Sequence, residues 1–282
     1  GSGQSVAAYK STNSASTWTS ATVTVTANAT SSSGVYSADG SVMIVGNRSG
    51  MSPYTYYYST DYGVTLTALN PTAGLSGYWY VAYTPVISAD GTKAAVIVSQ
   101  SSCTQSGCTY FYKLRILSGT NFTTRTDTDL PNGFALVYGF AANHELTKLA
   151  IYDGGSGAPN TLNGYVYAGK VNNDNTVTFS PGIGTTKNWT ALSVSDTKLY
   201  QIDFATGNFY TSTFPSDIST MTIGSSTTID GSVSASNATW YPISFSSDYS
   251  KAVISLIGSG SGGYVYKSTD GGATWSSISG GS

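Results

Sequence analysis

The sequence has few charged residues, and their scarcity excludes several classes of protein. Charged side chains make up 9% of the 282 residues and the formal net charge is −2, whereas soluble domains carry about 25% charged residues. A nearly neutral chain without a basic cluster does not attract phosphates, so we expect no nucleic-acid partner. The chain also has no run of about 18 apolar residues, so we expect no membrane-spanning helix.

The catalytic residue types are equally scarce. His144 and Glu145 are the one histidine and the one glutamate, and the three arginines are Arg48, Arg115 and Arg125. Because His144 and Glu145 share one predicted turn, neither a histidine-based triad nor a metal cluster is expected around them. The sequence predicts no metal and no cofactor.

Two cysteines and five glycosylation sequons favour an extracellular protein. Cys103 and Cys108 flank four residues with a Ser-Gly turn signal, and across a hairpin they would lie within disulfide range. A disulfide indicates an oxidising compartment, so we predict a secreted or cell-surface glycoprotein. The sequons lie at Asn28, Asn47, Asn121, Asn188 and Asn237.

A pattern of a turn followed by an apolar run recurs five times, about 50 residues apart. The copies begin at Ser37, Ser88, Ala141, Ser193 and Ser246. Each copy predicts a hairpin whose second strand is buried on both faces, because the apolar runs are continuous. A second turn pattern lies between the copies with the same period, so each unit is two hairpins. Four strands per repeat predict an all-β protein, a β-propeller of four-stranded antiparallel blades in a single domain over residues 1–282.

The second turn pattern is most complete in STDGGATW, and STDYGVTL lacks only its tryptophan. It resembles the Asp-box, Ser-x-Asp-x-Gly-x-Thr-Trp, of the BNR-repeat propeller superfamily, which includes sialidase-like and sortilin-like propellers. The matching residues are Ser59, Asp61, Gly63, Thr65, Ser268, Asp270, Gly272, Thr274 and Trp275. The resemblance implies that the aspartates tie down their own turns and that the tryptophan packs between blades. It indicates a fold more than a function.

The repeat leaves one hairpin over. Five inner hairpins follow residue 35, but an outer hairpin at residues 5–28, within an N-terminal segment 1–34, has no inner hairpin before it. Three explanations stay open. The hairpin belongs to a six-bladed ring, to a longer polypeptide, or to a blade completed in a neighbouring subunit by self-assembly.

Aromatic residues recur in the loops that enter the inner hairpins. They are Trp79, Tyr80, Tyr138, Trp189, Trp240 and Tyr241. Rings with polar tips suit sugars and protein partners, although the same rings would also pack between blades. They are the candidate ligand-binding residues.

Two functions remain, and the sequence favours the first. With three arginines and one glutamate the chain lacks the arginine cluster and the Tyr–Glu pair of a sialidase. We therefore expect a non-enzymatic extracellular module, a surface, adhesion or filament component that binds glycans or extracellular proteins. The alternative is a glycoside hydrolase or lyase of the Asp-box propeller type. It would use a pair of aspartates, and Asp153 and Asp203 are the catalytic candidates because they lie near the ends of second strands.

Overall fold

The computed structural model describes most of the chain. The described residues are 4–10, 17, 19–25, 31–48, 55–77, 79–81, 83–104, 107–131, 137–153, 164–187, 189–203, 206–229, 238–240, 243–258 and 263–278. Their regular structure is almost entirely β-strand, with short 3₁₀ turns at Thr120–Phe122 and Ile218–Thr220. Within these ranges no helix has the length and apolarity needed to cross a bilayer.

The chain divides into two compact units. The first holds residues 1–130 and 174–176, and the second holds residues 131–173 and 177–282. The single domain expected over residues 1–282 stays a prediction.

The first unit contains a hairpin and two blades. The hairpin pairs β1 (Gln4–Lys10) with β2 (Thr19–Val25). The first blade is ordered β3 (Ser31–Tyr36), β4 (Met43–Arg48), β5 (Thr55–Ser59) and β6 (Thr67–Leu69). The second blade consists of β7 (Tyr80–Val81), β8 (Val86–Ile87), β9 (Lys93–Thr104), β10 (Gly107–Ser118) and β11 (Thr124–Asp129). Both β7 and β8 pair with β9, so together they take the place of one first strand.

The second unit contains three blades. The third blade is ordered β12 (Val137–Ala142), β13 (Lys148–Asp153), β14 (Gly164–Val171) and β15 (Val177–Phe179), and β16 (Ile183–Lys187) also pairs with β14. The fourth is ordered β17 (Trp189–Val194), β18 (Lys198–Asp203), β19 (Asn208–Thr213) and β20 (Ser225–Thr228). The fifth joins β21 (Ala238–Trp240), β22 (Ser244–Phe245), β23 (Ala252–Gly258), β24 (Gly263–Ser268) and β25 (Ser276–Ile278).

The fold is therefore all-β, with five four-stranded antiparallel blades of a β-propeller, as the repeat predicts. The hairpin of β1 and β2 forms a two-stranded sheet of its own, and among the described residues it pairs with no further strand. The surplus outer hairpin is thus confirmed. Which of the three explanations applies to it stays open.

The second strands form the core, as their continuous apolar runs predict. The side chains of residues 94–98 in β9 are all fully buried, as are Leu149, Ala150 and Ile151 in β13. Since successive side chains of a strand point to opposite faces, these blades are covered on both sides.

The inner-hairpin turns are built around a side chain that caps the strand entry. In the second blade the Ser88 hydroxyl donates to Asp90 and accepts the N–H of Lys93. In the third blade Asn143 takes the serine's place, because its side-chain oxygen accepts the N–H of Thr147 and of Lys148. The anchor of that copy is therefore two residues beyond Ala141, where the sequence pattern began.

The two turns that resemble the Asp-box have the local geometry that the resemblance implies. Ser268 Oγ donates to Asp270 and accepts the N–H of Gly272, while Asp270 accepts the N–H of Thr274. Trp275 packs edge-on against Phe209, a residue of the adjacent fourth blade, with ring centroids 5.2 Å apart. The turn at Ser59 makes the equivalent bonds to Asp61, Gly63 and Thr65.

The segment around the cysteines belongs to a hairpin, as the Ser-Gly turn signal predicts. Strands β9 and β10 continue their pairing up to Thr104 and Gly107. Thr and Tyr residues there favour the extended ladder. Cys103 lies directly opposite Cys108 in this ladder. The side chains of both cysteines lie outside the described set, so the disulfide stays a prediction.

Candidate functional site

Asp153 and Asp203 occupy equivalent places in neighbouring blades. Each is the last residue of a six-residue second strand that begins with a lysine, β13 in one case and β18 in the other. Strand β17, which pairs with β18, also packs against β12 and β13. The sequence therefore placed both candidates correctly at the ends of second strands.

Both aspartates are buried, which their sequence context does not predict. Asp153 is 4% exposed and Asp203 is 1% exposed. Buried carboxyl groups are rare unless they are paired or hydrogen-bonded. Most other aspartates of the described chain serve turns at the surface, so these two differ in their surroundings.

Hydrogen bonds orient the Asp203 carboxyl group. The Thr206 hydroxyl donates to Asp203 Oδ2 over 2.8 Å. Gln201 lies two residues earlier on the same face of β18 and is fully buried. Its Oε1 accepts the Ser212 hydroxyl, but its Nε2 has no hydrogen-bond partner within the described structure. This strand face therefore carries a carboxyl group and an unsatisfied amide donor.

Asp153 lies among tyrosines. The pKa of Tyr167 is raised, first by burial and then by the negative charges of Asp153 and Tyr165. The rings of Tyr165 and Tyr167 contact each other with centroids 6.1 Å apart. Gly164 allows β14 to approach closely here, because a Cβ on it would lie 1.5 Å from the carbonyl oxygen of Asp153.

The aromatic candidates are described only in part. Trp79 is half-buried against the core of the first unit and donates its indole N–H to the carbonyl of Ser76. Tyr80 is also half-buried and lies 3.4 Å from the Ser99 hydroxyl. The side chains of the other four lie outside the described residues: Tyr138, Trp189, Trp240 and Tyr241. Ligand binding by these rings stays a prediction.

A cleft in the second unit was missed by the sequence analysis. It has a volume of about 610 Å³ and lies where the inner-hairpin turns of the third, fourth and fifth blades meet. Ligand sites commonly have volumes of about 300–1,000 Å³. We call it the turn cleft, and its lining residues are His144, Glu145, Ser195, Asp196, Thr197, Lys198, Tyr200, Ser247, Asp248, Tyr249 and Gly271.

Tyr249 is the aromatic wall of the turn cleft. Its ring stacks on Tyr200 with centroids 6.2 Å apart and an interplanar angle of 14°, and the His144 ring lies 5.5 Å away. The Tyr249 hydroxyl donates to the carbonyl of Val194. Burial and the negative charge of Asp196 raise the pKa of Tyr249 to about 12, so it stays a neutral donor.

Two of the charged residues in the turn cleft have a structural task and two do not. Asp248 accepts the hydroxyls of Ser246 and Ser250, and Asp196 accepts the amide of Asn143. Glu145 and Lys198 are exposed, and their side chains form neither a hydrogen bond nor an ion pair with any described residue. No sequence motif links these turns, because residues from three blades meet only after folding.

Arg115 is not available for a substrate. Its guanidinium is buried, forms a bidentate ion pair with Asp127, and donates to the carbonyls of Pro71 and Ala73.

Comparisons with known proteins identify the fold. No family model matches the chain, and no curated protein matches it in sequence. An oligogalacturonate lyase in complex with manganese is 13% identical with a TM-score of 0.54, and the match covers 98% of this chain and 73% of that one. A puromycin hydrolase is 12% identical with a TM-score of 0.57, over 88% and 38% of the two chains. A luciferin-regenerating enzyme is 10% identical with a TM-score of 0.51, over 89% and 80%.

These neighbours overturn the expectation of a non-enzymatic module. All three are enzymes, and a glycoside hydrolase or lyase agrees with them better than a surface or adhesion component does. The expectation was wrong because it rested on the scarcity of His, Glu and Arg, which does not exclude chemistry by aspartates. At such identities the likeness shows the fold alone, so the reaction has to be argued from the residues of this chain.

The described residues do not fit the manganese present in the lyase structure. No group of three or more His, Cys, Asp or Glu side chains within the described ranges is arranged to hold a metal ion.

Proposed function

We propose that the chain is a glycan-cleaving enzyme in which Asp153 and Asp203 are the catalytic carboxyl groups. The observation that carries this proposal is their burial at equivalent strand ends of neighbouring blades. Enzymes that cleave glycosidic bonds with two carboxyl groups need one as a general acid and one as a base or nucleophile. The oligogalacturonate lyase among the structural neighbours supports a carbohydrate substrate.

The surroundings of each carboxyl group suit this division of tasks. Thr206 fixes the orientation of the Asp203 carboxylate, as a group that attacks C1 or activates water requires. Asp153, among Tyr165 and Tyr167, is the proposed acid that protonates the leaving oxygen.

The test is an activity screen on neutral, amine-bearing and uronic oligosaccharides. Hydrolysis and elimination both release a reducing end, but only elimination gives an unsaturated product that absorbs ultraviolet light. We expect cleavage of at least one substrate, and a loss of at least about 100-fold in kcat for Asp153→Asn and for Asp203→Asn. Asp129→Asn is the matched control, because Asp129 is exposed and pairs only with Lys113.

Circular dichroism has to show that each variant folds. Either of two results overturns the proposal: a screen in which no oligosaccharide is cleaved, or full activity in the folded Asp153→Asn/Asp203→Asn double variant. A bell-shaped pH profile of kcat/KM that loses one limb in each single variant would support the assigned tasks.

The remaining sequence predictions form part of the same proposal. We propose an Asp-box propeller that is secreted and carries a Cys103–Cys108 disulfide and glycans, for which the opposed cysteines and the exposed Asn121 are the structural support. Intact mass with and without reductant and glycosidase tests both modifications. Self-assembly through the β1–β2 hairpin is tested by light scattering, where a strict monomer would contradict it.

A further inference from the structure

We propose that the turn cleft is a second saccharide-binding site, separate from Asp153 and Asp203, and that it selects sugars without a carboxylate. The inference goes beyond the proposed function because binding there requires no catalysis. Three properties of the cleft carry it: its shape, its aromatic wall and its unengaged charged groups.

The shape and the wall suit a sugar ring. A cleft of about 610 Å³ accommodates a few saccharide units. Tyr249 is half-buried and held in place by its stacking on Tyr200 and by its bond to the Val194 carbonyl. A fixed ring presents a flat apolar surface to the C–H face of a sugar at little entropic cost.

The charged groups supply both kinds of hydrogen bond that sugar hydroxyls make. Glu145 accepts and Lys198 donates, and neither group has a partner among the described residues. Both groups are therefore available to a ligand in the same cleft. Charge-assisted hydrogen bonds of this kind are stronger than hydrogen bonds between neutral groups.

The sign of the charge sets the selectivity. Glu145, Asp196 and Asp248 line the cleft together with Lys198, and the Lys148 ammonium donates to the Asp196 carbonyl beside it, so carboxylates outnumber ammonium groups by one at neutral pH. The turn bonds hold the pKa of Asp248 at about 2, which keeps it ionised. A uronate carboxylate would be repelled, whereas a protonated amine would gain from the carboxylates and from the Tyr249 ring.

The test measures binding by calorimetry to the full chain carrying Asp203→Asn, which prevents turnover. The probes are a glucosamine hexamer, a cellohexaose and a hexagalacturonate. We expect affinity to fall in that order, with the uronate at least about tenfold weaker than the glucosamine hexamer. Equal or tighter binding of hexagalacturonate would overturn the selectivity.

Cleft variants then locate the binding. Glu145→Gln and Lys198→Gln change exposed side chains, so both should fold. Glu145→Gln should weaken binding of the glucosamine hexamer and of cellohexaose by about fivefold or more, and Lys198→Gln should weaken binding of the uncharged cellohexaose by a similar factor. Asp129→Asn is again the matched control and should bind as the parent does. Unchanged affinity in both cleft variants, or no binding of any probe, would overturn the site.

The two proposals fail separately. Loss of binding in Glu145→Gln with cleavage abolished only in the Asp153 and Asp203 variants supports both. If the Asp153 and Asp203 variants stay fully active while cleft variants still lose binding, the catalytic assignment fails and the turn cleft stands.

Discussion

Replacing Arg115 with methionine should destabilise the first unit strongly. The side chain is 3% exposed, and its Nε and Nη2 lie 2.6 and 2.8 Å from the two oxygens of Asp127. Its Nη1 donates to the carbonyls of Pro71 and Ala73, at 2.8 and 2.7 Å. One guanidinium on β10 thus ties the loop after β6 to the second blade.

The cost follows from what methionine leaves behind. Removing one member of a buried ion pair costs about 3–5 kcal/mol, because the remaining charge is desolvated without a partner. The Asp127 side chain is 29% exposed and regains some hydration, which reduces this term. Each carbonyl left unsatisfied adds about 1 kcal/mol. We therefore expect a loss of about 4 kcal/mol for Arg115→Met, and about half of that for Arg115→Lys, which cannot form the bidentate pair.

Urea unfolding followed by fluorescence measures these losses. Arg125→Met is the matched control, because Arg125 is exposed and donates only to the Thr123 carbonyl, and its change should stay within about 0.5 kcal/mol. The Arg115→Met/Asp127→Leu double variant should be less destabilised than Arg115→Met alone. Equal stability of the Arg115 and Arg125 variants would refute the reasoning.

Two further predictions concern the Asp-box-like turn at residues 268–275. The Thr274 hydroxyl and N–H hold the pKa of Asp270 at about 2, below its usual 3.8. The resulting stabilisation is present above about pH 4 and is lost as the pH falls towards 2, so Asp270→Asn should lower Tm at pH 5 and flatten its fall below pH 4. Gly272→Ala should cost about 2 kcal/mol or more in urea unfolding, because its φ is 93° and a Cβ would lie 2.3 Å from Phe209. Gly74→Ala, with φ 83° and no atom within 4 Å, should cost only about 1 kcal/mol, and equal losses would contradict the clash.

The repeat made the blades predictable because local chemistry and burial have the same period. A turn anchored by Ser88 and Asp90 precedes the buried run at residues 94–98, whereas in the third and fourth copies the anchors, Asn143 and Ser195, lie two residues beyond the start that the pattern predicts. The register of the β9–β10 ladder, in which Cys103 lies opposite Cys108, agrees with the hairpin that the spacing of the cysteines predicts.

The candidate sites were less predictable, since they depend on contacts between repeats. Chain position alone placed Asp153 and Asp203 at strand ends, but their burial follows from packing against neighbouring strands. The turn cleft left no signal in the sequence. His144, Lys198 and Tyr249 come from three blades, and each is unremarkable in its own repeat.

Scarcity of charge makes the surviving charged residues informative. Among the described aspartates, Asp61, Asp248 and Asp270 fix turns, and Asp127 pairs with Arg115 inside the first unit. Selection for solubility would scatter charges over the surface, whereas most charged side chains of the described residues form a specific hydrogen bond or ion pair. The side chains of Glu145 and Lys198, which line the turn cleft without a partner among the described residues, differ from these aspartates. A ligand bound in the turn cleft would engage both of them.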